Sequence, residues 1–248
     1  MLQRWAEHFD ELLNGRGDED GNKGVGEGET DMGESLDKEE EDEEYGRDRS
    51  LETTETTDVP TKEVVKAAVD KLKNNKAPGP NGIPSEILKE GYKYMVNRIY
   101  ELIVQIWSKE RIPLTWVEVL ISPVHKKGDV QNCENFRGIS LVNIAYKVLS
   151  VVLYGRLKPH ANQIIGQYQC GFRDGVSTID QIQTLRQILA KTLEYQIETH
   201  HLFIDFKTSY DKVNRNQLYK TKLEFSIPPK LVRLTQATMQ GTTAKVKV

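Results

Sequence analysis

The sequence of 248 residues has a net charge of −3, and 38% of its residues are hydrophobic, enough to build a core. Its two cysteines, Cys133 and Cys170, lie far apart, which excludes a disulfide framework and a CxxC zinc site. No apolar run reaches the roughly 18 residues that cross a bilayer, and the first residues lack a signal-peptide core. Membrane and secreted classes are excluded, and an intracellular protein, cytoplasmic or nuclear, is predicted.

Charge divides the chain into an acidic and a basic part. Residues 16–60 hold 18 acidic and 5 basic side chains and almost no large apolar ones, which predicts a disordered linker. Residues 61–248 hold 28 basic and 16 acidic side chains, so a basic domain follows the linker. Nucleic acid is a sensible partner for such a domain, although scattered solubilising lysines explain the charge equally well.

A short helix is predicted at the start, in the segment 1–15. Trp5, Phe9, Leu12 and Leu13 recur at helical spacing, so residues 2–14 should form an amphipathic helix. Its apolar face needs a partner, and we expect that partner to lie outside this chain.

Residues 61–248 alternate helical and strand patterns after a Thr61 N-cap, and Ser177 to Asp180 has capping-box spacing. The strands and helices mix without a regular βαβ repeat, which predicts an α+β fold. The predicted elements are a helix at 62–75, a loop at 76–84, a helix ending before Pro113, a strand at 116–124, helices at 143–157 and 178–198, a strand at 201–206, helices at 214–224 and 229–240, and a strand at 242–248 without a partner.

Asp205 is the most informative carboxylate, because it interrupts the apolar run from Leu202 to Phe206. A carboxylate buried in a strand costs several kcal/mol unless a metal or a cation pairs with it, which indicates a ligand-binding role. An Asp at a strand end that reaches solvent is the alternative.

The stretch from Phe203 to Val213 resembles the first catalytic motif of reverse transcriptases, with Asp205 and Tyr210 at its two diagnostic positions. The resemblance implies that the Asp205 carboxylate and the Phe206 carbonyl bind Mg²⁺, two ions being expected in the complete enzyme. It also implies that the Tyr210 ring excludes a ribose 2′-hydroxyl and so selects deoxynucleotides.

Three upstream motifs follow the order of the non-LTR retrotransposon group. Residues 121–141 resemble the fingers segment, in which Lys127 and Arg137 would contact phosphate, and residues 169–181 resemble a further fingers and palm motif. Residues 76–82 resemble a loop used against the nucleic-acid backbone. The residues implied to bind nucleic acid are Lys76, Pro78, Gly79, Gly82, Lys126, Gly171, Phe172 and Arg173.

The resemblance implies an RNA-directed DNA polymerase with fingers and the start of a palm, an RNA template, a DNA primer and deoxynucleoside triphosphates. Asn81, Val176 and Thr208-Ser209 depart from the usual pattern, and Val176 puts one template contact in doubt. The Gly-Gln-Gly-Asp-Pro-type and Tyr-Ala-Asp-Asp motifs do not occur in the sequence, so we expect a fragment that ends before the catalytic hairpin, is inactive alone and binds Mg²⁺ weakly or not at all. A noncatalytic RNA-binding module and a decayed element are the alternatives.

Overall fold

A computed structural model describes residues 2–14, 57–206, 209–211 and 213–247, so the predicted acidic linker lies almost wholly outside the described residues. The described residues form helices and one small sheet, which is an α+β structure. They fall into two compact units, a larger one before Gly166 and from Phe206 onward, and a smaller one at Gly166–Asp205. None of the described helices is both long and apolar enough to cross a bilayer.

Besides two short 3-10 helices at Leu114–Trp116 and Cys133–Asn135, the described residues of the larger unit form seven α-helices and three strands. In chain order these are α1 (Leu2–Asn14), α2 (Lys62–Asp70), α3 (Ser85–Glu90), α4 (Tyr92–Lys109), β1 (Glu118–His125), β2 (Phe136–Leu141), α5 (Ile144–Ile164), α7 (Arg215–Glu224), α8 (Pro229–Met239) and β3 (Thr243–Val246). The smaller unit contains α6 (Thr178–Glu194).

The main core of the larger unit is built from helices α2, α4, α5 and α8. Trp107, Ile103, Leu149 and Leu231 are each at most 1% exposed at its centre. The Trp107 ring also satisfies its polar group, because its Nε1–H donates to the Thr57 carbonyl at 2.9 Å. The chain therefore contributes helices to this core both before and after strands β1 and β2.

The sheet has the order β2-β1-β3. Strands β1 and β2 form an antiparallel hairpin with Leu120 opposite Leu141 and His125 opposite Phe136, whereas β3 runs parallel to β1 and pairs only with Glu118–Ile121. Helix α1 covers one face of this sheet with Trp5 and Phe9. Among the described residues, the outer half of the hairpin, beyond Ile121, therefore consists of two strands.

The structure corrects several boundaries predicted from the sequence. Helix α2 ends at Asp70 rather than residue 75, and α5 continues through Pro159 to Ile164. Strand β3, expected without a partner, pairs with β1, and α1 docks on the chain's own sheet rather than outside it. Strand β2 and helix α3 were not predicted.

The strand predicted at 201–206 is wrong, since these residues form no regular secondary structure. A strand needs a hydrogen-bonded neighbour, and the three paired strands of the described residues do not include this segment. Its apolar side chains are exposed accordingly, with Phe203 at 80% and Ile204 at 70%.

Helix α6 of the smaller unit confirms the predicted capping box. The Ser177 hydroxyl accepts from the Ile179 amide at 3.1 Å, and the Asp180 carboxylate accepts from the Ser177 amide at 3.1 Å. No residue of α6 is buried, although Ile182, Leu185, Leu189 and Leu193 share one helical face. The helical periodicity therefore predicted the helix, but it did not predict that the apolar face of this helix is unburied.

Candidate nucleic-acid interface

The turn of the β1–β2 hairpin carries Lys126, predicted to bind nucleic acid, and Lys127, predicted to contact phosphate, and both are exposed. The Lys126 amide donates to the Asn135 carbonyl at 2.8 Å, which closes the base of the turn. The Asn135 side-chain amide donates to the Asp129 carbonyl at 3.0 Å, and Gly128 supplies a backbone with φ of +83° that other residues rarely adopt. These bonds define the shape of the turn and leave the lysines at its surface.

Arg137 lies on β2 opposite Val124, and its side chain is exposed. Its neighbours Phe136 and Gly138 contact α1, and side chains alternate between the two faces of a strand. Arg137 therefore projects from the face that α1 does not cover. The hairpin thus brings Lys126, Lys127 and Arg137 together on one element.

The predicted loop at 76–84 packs against the end of β2. A Cβ added at Gly79 would lie 2.4 Å from the Val142 carbonyl oxygen and 2.7 Å from the Asn143 amide nitrogen, so only glycine permits this approach. Gly82 has φ of +67°, and its amide donates to the Gly79 carbonyl at 3.0 Å to form a turn. Lys76 and Pro78 remain exposed on the loop.

Helix α3 holds the start of this loop. The Asn75 amide donates to the Glu86 carboxylate at 2.5 Å, the Ser85 hydroxyl donates to the Lys73 carbonyl at 2.7 Å, and the Lys89 ammonium donates to the Asn74 side chain at 2.8 Å. The backbone N–H of Asn75 lowers the pKa of Glu86 below its ordinary value of 4.5. The same hydrogen bond therefore holds the start of the loop and favours the charged form of Glu86.

The loop and the hairpin turn lie at opposite ends of β2. Six residues separate the turn at Asn135 from Val142, where Gly79 packs. At about 3.4 Å per residue the two sets of basic side chains are roughly 20 Å apart along the strand. Lys76 and Lys127 thus mark the ends of an extended surface rather than one pocket.

In the smaller unit, the residues predicted to bind nucleic acid form a glycine-bounded loop before α6. Phe172 is 95% exposed and has φ of +58°, an uncommon conformation for a bulky residue. The Arg173 guanidinium donates to the Gly166 carbonyl at 3.0 Å, and the Gln181 side chain donates to the Tyr168 carbonyl. Tyr168, whose carbonyl accepts that hydrogen bond, is 82% exposed.

Asp205 is exposed, which agrees with the alternative of an Asp that reaches solvent and not with a buried carboxylate. Phe206 and Tyr210 are each 74% exposed. No group of three or more His, Cys, Asp or Glu side chains in the described residues could hold a metal ion. A single exposed carboxylate does not fit the near-ideal octahedral site that Mg²⁺ demands, although the reverse transcriptase motif that Asp205 resembles uses Mg²⁺.

Exposed lysines and an arginine on a hairpin, together with an exposed aromatic ring in a glycine loop, are typical of proteins that bind nucleic acid. Residues 124–247, half of the chain, match the family model described as reverse transcriptase (RNA-dependent DNA polymerase). The chain belongs to this family.

Its relatives place it with the non-LTR retrotransposons. It is 23% identical over 82% of its length to the transposon TX1 uncharacterized 149 kDa protein of Xenopus laevis, and 27% identical over 72% to a probable RNA-directed DNA polymerase from transposon BS of Drosophila melanogaster. It is 26% identical over 73% to the RNA-directed DNA polymerase from mobile element jockey of Drosophila funebris. The chain spans 15 to 21% of the length of these relatives.

Proposed function

We propose that this chain supplies the fingers and the start of the palm of an RNA-directed DNA polymerase that copies retrotransposon RNA into DNA. Its partners are an RNA template, a DNA primer and deoxynucleoside triphosphates. The observation that carries the proposal is the exposed basic hairpin with Lys126, Lys127 and Arg137, which lies within the residues that match the family. Relatives named as polymerases do not favour a noncatalytic module.

The hairpin suits phosphate groups in two ways. The Lys127 ammonium at the turn is a mobile point charge, whereas the Arg137 guanidinium on β2 is a planar fork that binds two oxygens at once. We assign Lys127 and Arg137 to the incoming triphosphate, and Lys126 to the nucleic-acid backbone.

The loop at Lys76, Pro78, Gly79 and Gly82 extends this surface. A distance of roughly 20 Å along β2 corresponds to about six phosphates of one strand, which lie about 3.4 Å apart along a helix axis. We assign the loop to the template backbone. An extended strand, rather than a compact ligand, matches basic groups at both ends of β2.

The loop of the smaller unit supplies a different kind of contact. The exposed Phe172 ring offers a face on which a base can stack, a contact that tolerates every base. Gly171 and Arg173 flank this ring, and we assign all three to the nucleic acid. Such stacking complements the sequence-independent phosphate contacts of the hairpin.

Asp205, the Phe206 carbonyl and Tyr210 remain assignments that rest on the family motif. We propose Asp205 and Phe206 as metal ligands and Tyr210 as the residue that selects deoxynucleotides. Because Asp205 alone does not fit a magnesium site, no catalytic step is assigned to the described residues. The free thiols of Cys133 and Cys170 support an intracellular location, cytoplasmic or nuclear.

A binding experiment tests the proposal. The paired substitutions Lys76→Ala and Lys126→Ala, at two exposed residues assigned to the nucleic-acid backbone, should weaken binding of an RNA–DNA template–primer and lower its dependence on salt by about one to two units of log affinity per log salt. Lys93→Ala with Lys220→Ala, exposed lysines on α4 and α7, is the control with equal charge change. Equal losses in both pairs would show that only total charge matters, and the assignment of Lys76 and Lys126 to the nucleic-acid backbone would be wrong.

A further inference from the structure

The sheet face under α1 is an apolar surface whose occupant is the chain's own N-terminal helix. Trp5 is 7% exposed and Phe9 is 3% exposed against Ile121 and Cys133. Gly138 of β2 forms a notch for this helix, because a Cβ there would lie 2.5 Å from Phe9 Cε1. Any side chain larger than hydrogen at position 138 would therefore clash with the Phe9 ring.

From α1, a series of ring contacts leads to the hairpin turn. The Trp5 and Phe136 rings pack edge to face with their centroids 4.8 Å apart, and the Phe136 and His125 rings pack in the same manner with their centroids 5.1 Å apart. The His125 Nε2 then lies at hydrogen-bond distance, 3.0 Å, from the Gly128 carbonyl within the turn. Three consecutive contacts thus connect the N-terminal helix to the turn that carries Lys127.

In the part of the chain that the structure describes, a third strand supports the inner half of the hairpin but not its outer half. Strand β3 pairs with β1 only as far as Ile121, and the pairs from Ser122–Ile139 to His125–Phe136 form a two-stranded ribbon. Two strands alone are marginally stable in water unless another element packs on them. Helix α1 is the element that packs on this ribbon, at Phe136 and Gly138.

We propose that α1 is a positioning element for the hairpin turn, acting through Trp5, Phe136 and His125. The helix covers the face opposite Arg137, so it orders the basic hairpin without occupying its binding side. Docking of α1 therefore raises the affinity of the turn for phosphate groups. This last consequence rests on the proposed function, whereas the ordering of the turn does not.

Amide hydrogen exchange in the full chain tests the ordering. Trp5→Ala should speed exchange of the Lys126 amide, which bonds to the Asn135 carbonyl, by at least tenfold, and should leave the amides of α5 unchanged. Gln3→Ala, on the exposed side of α1, should change neither. Unchanged exchange at the turn in Trp5→Ala would overturn the proposal.

A reciprocal pair keeps the test decisive if Trp5→Ala unfolds the chain. Gly138→Ala should displace Phe9 and speed exchange of the Lys126 amide, and adding Phe9→Leu, which opens the space that the new methyl needs, should restore slow exchange. Faster exchange in the double variant than in Gly138→Ala alone would contradict docking of α1 as the cause.

Binding of inorganic tripolyphosphate at low salt separates this inference from the proposed function. Trp5→Ala should weaken binding several-fold, and Gln3→Ala should not. If the natural chain binds no tripolyphosphate while Trp5→Ala still loosens the turn, the phosphate role fails and the positioning role of α1 stands. If tripolyphosphate binds equally to both variants although the turn is loosened, positioning has no effect on affinity and the proposal is overturned.

Discussion

Gly79 places the loop at 76–84 against the end of β2, and Gly79→Ala should disturb that placement. The added Cβ would lie 2.4 Å from the Val142 carbonyl oxygen, whereas ordinary contact begins at 3.4 Å. The obstructing atoms belong to the backbone of Val142 and Asn143, which cannot rotate away as a side chain can. The loop and the β2–α5 junction must therefore separate by about 1 Å.

The cost follows from two contributions. Overpacking of this kind costs about 1–3 kcal/mol. Opening of the turn would also lose the bond from the Gly82 amide to the Gly79 carbonyl, worth about 1 kcal/mol. For a chain of this size the sum, about 2–4 kcal/mol, should lower the melting temperature by roughly 4 to 16 °C.

Thermal unfolding, with amide exchange of the Gly82 amide, measures both contributions. Gly155→Ala is the matched control, because nothing lies within 4 Å of a Cβ at that position in α5 and alanine favours a helix by about 0.5–1 kcal/mol. The control should be as stable as the natural chain or more stable. A Gly79→Ala chain with the same melting temperature as the natural chain would refute the close packing of the loop.

Two further predictions concern the loop anchor and catalysis. Glu86→Ala should destabilise the loop entry at neutral pH, because the pKa of Glu86 in the folded chain lies below 4.5. The difference in unfolding free energy between this variant and the natural chain should persist above pH 4.5 and vanish as the pH falls through the lowered pKa. Urea unfolding at a series of pH values measures this difference. The 248-residue chain should show no templated deoxynucleotide incorporation with Mg²⁺ in a primer-extension assay. In a longer chain that carries a Tyr-Ala-Asp-Asp motif, Asp205→Asn should abolish incorporation, and Tyr210→Ala should allow ribonucleotides to be incorporated. Synthesis by the 248-residue chain that Asp205→Asn removes would contradict the count of metal ligands.

The helices were predictable because their signals are local. Thr61 and Ser177 are the N-caps of α2 and α6, as their side chains indicated, and the apolar period located α4 and α6. The ends were less predictable, because Pro159 lies inside α5, where a proline usually ends a helix. Local chemistry specified the existence of these elements better than their lengths.

Whether a segment forms a strand depends on a hydrogen-bonded neighbour strand, and the local sequence does not identify that neighbour. β2 contains Arg137 and Gly138, which weaken a strand pattern, yet the glycine is needed there because Phe9 occupies its space. The segment 201–206 carries a stronger strand pattern and forms no strand, because none of the described strands pairs with it. Tertiary contact, not propensity, decided both outcomes.

The candidate site was predictable as a set of motifs but not as an arrangement. Lys126, Lys127 and Arg137 share a hairpin, as their sequence proximity allowed. That Gly79 packs at the far end of β2, and that α1 supports the hairpin from the opposite face, follow from packing between residues more than 60 positions apart.

Photo-crosslinking tests the central claim most directly. An RNA template carrying 4-thiouridine, annealed to a DNA primer and bound to the full chain, should crosslink to peptides that contain the hairpin at 126–137 and the loop at 76–82, and 0.5 M salt should remove both crosslinks. Crosslinks confined to other parts of the larger unit, with neither the hairpin nor the loop labelled, would contradict the proposed nucleic-acid interface.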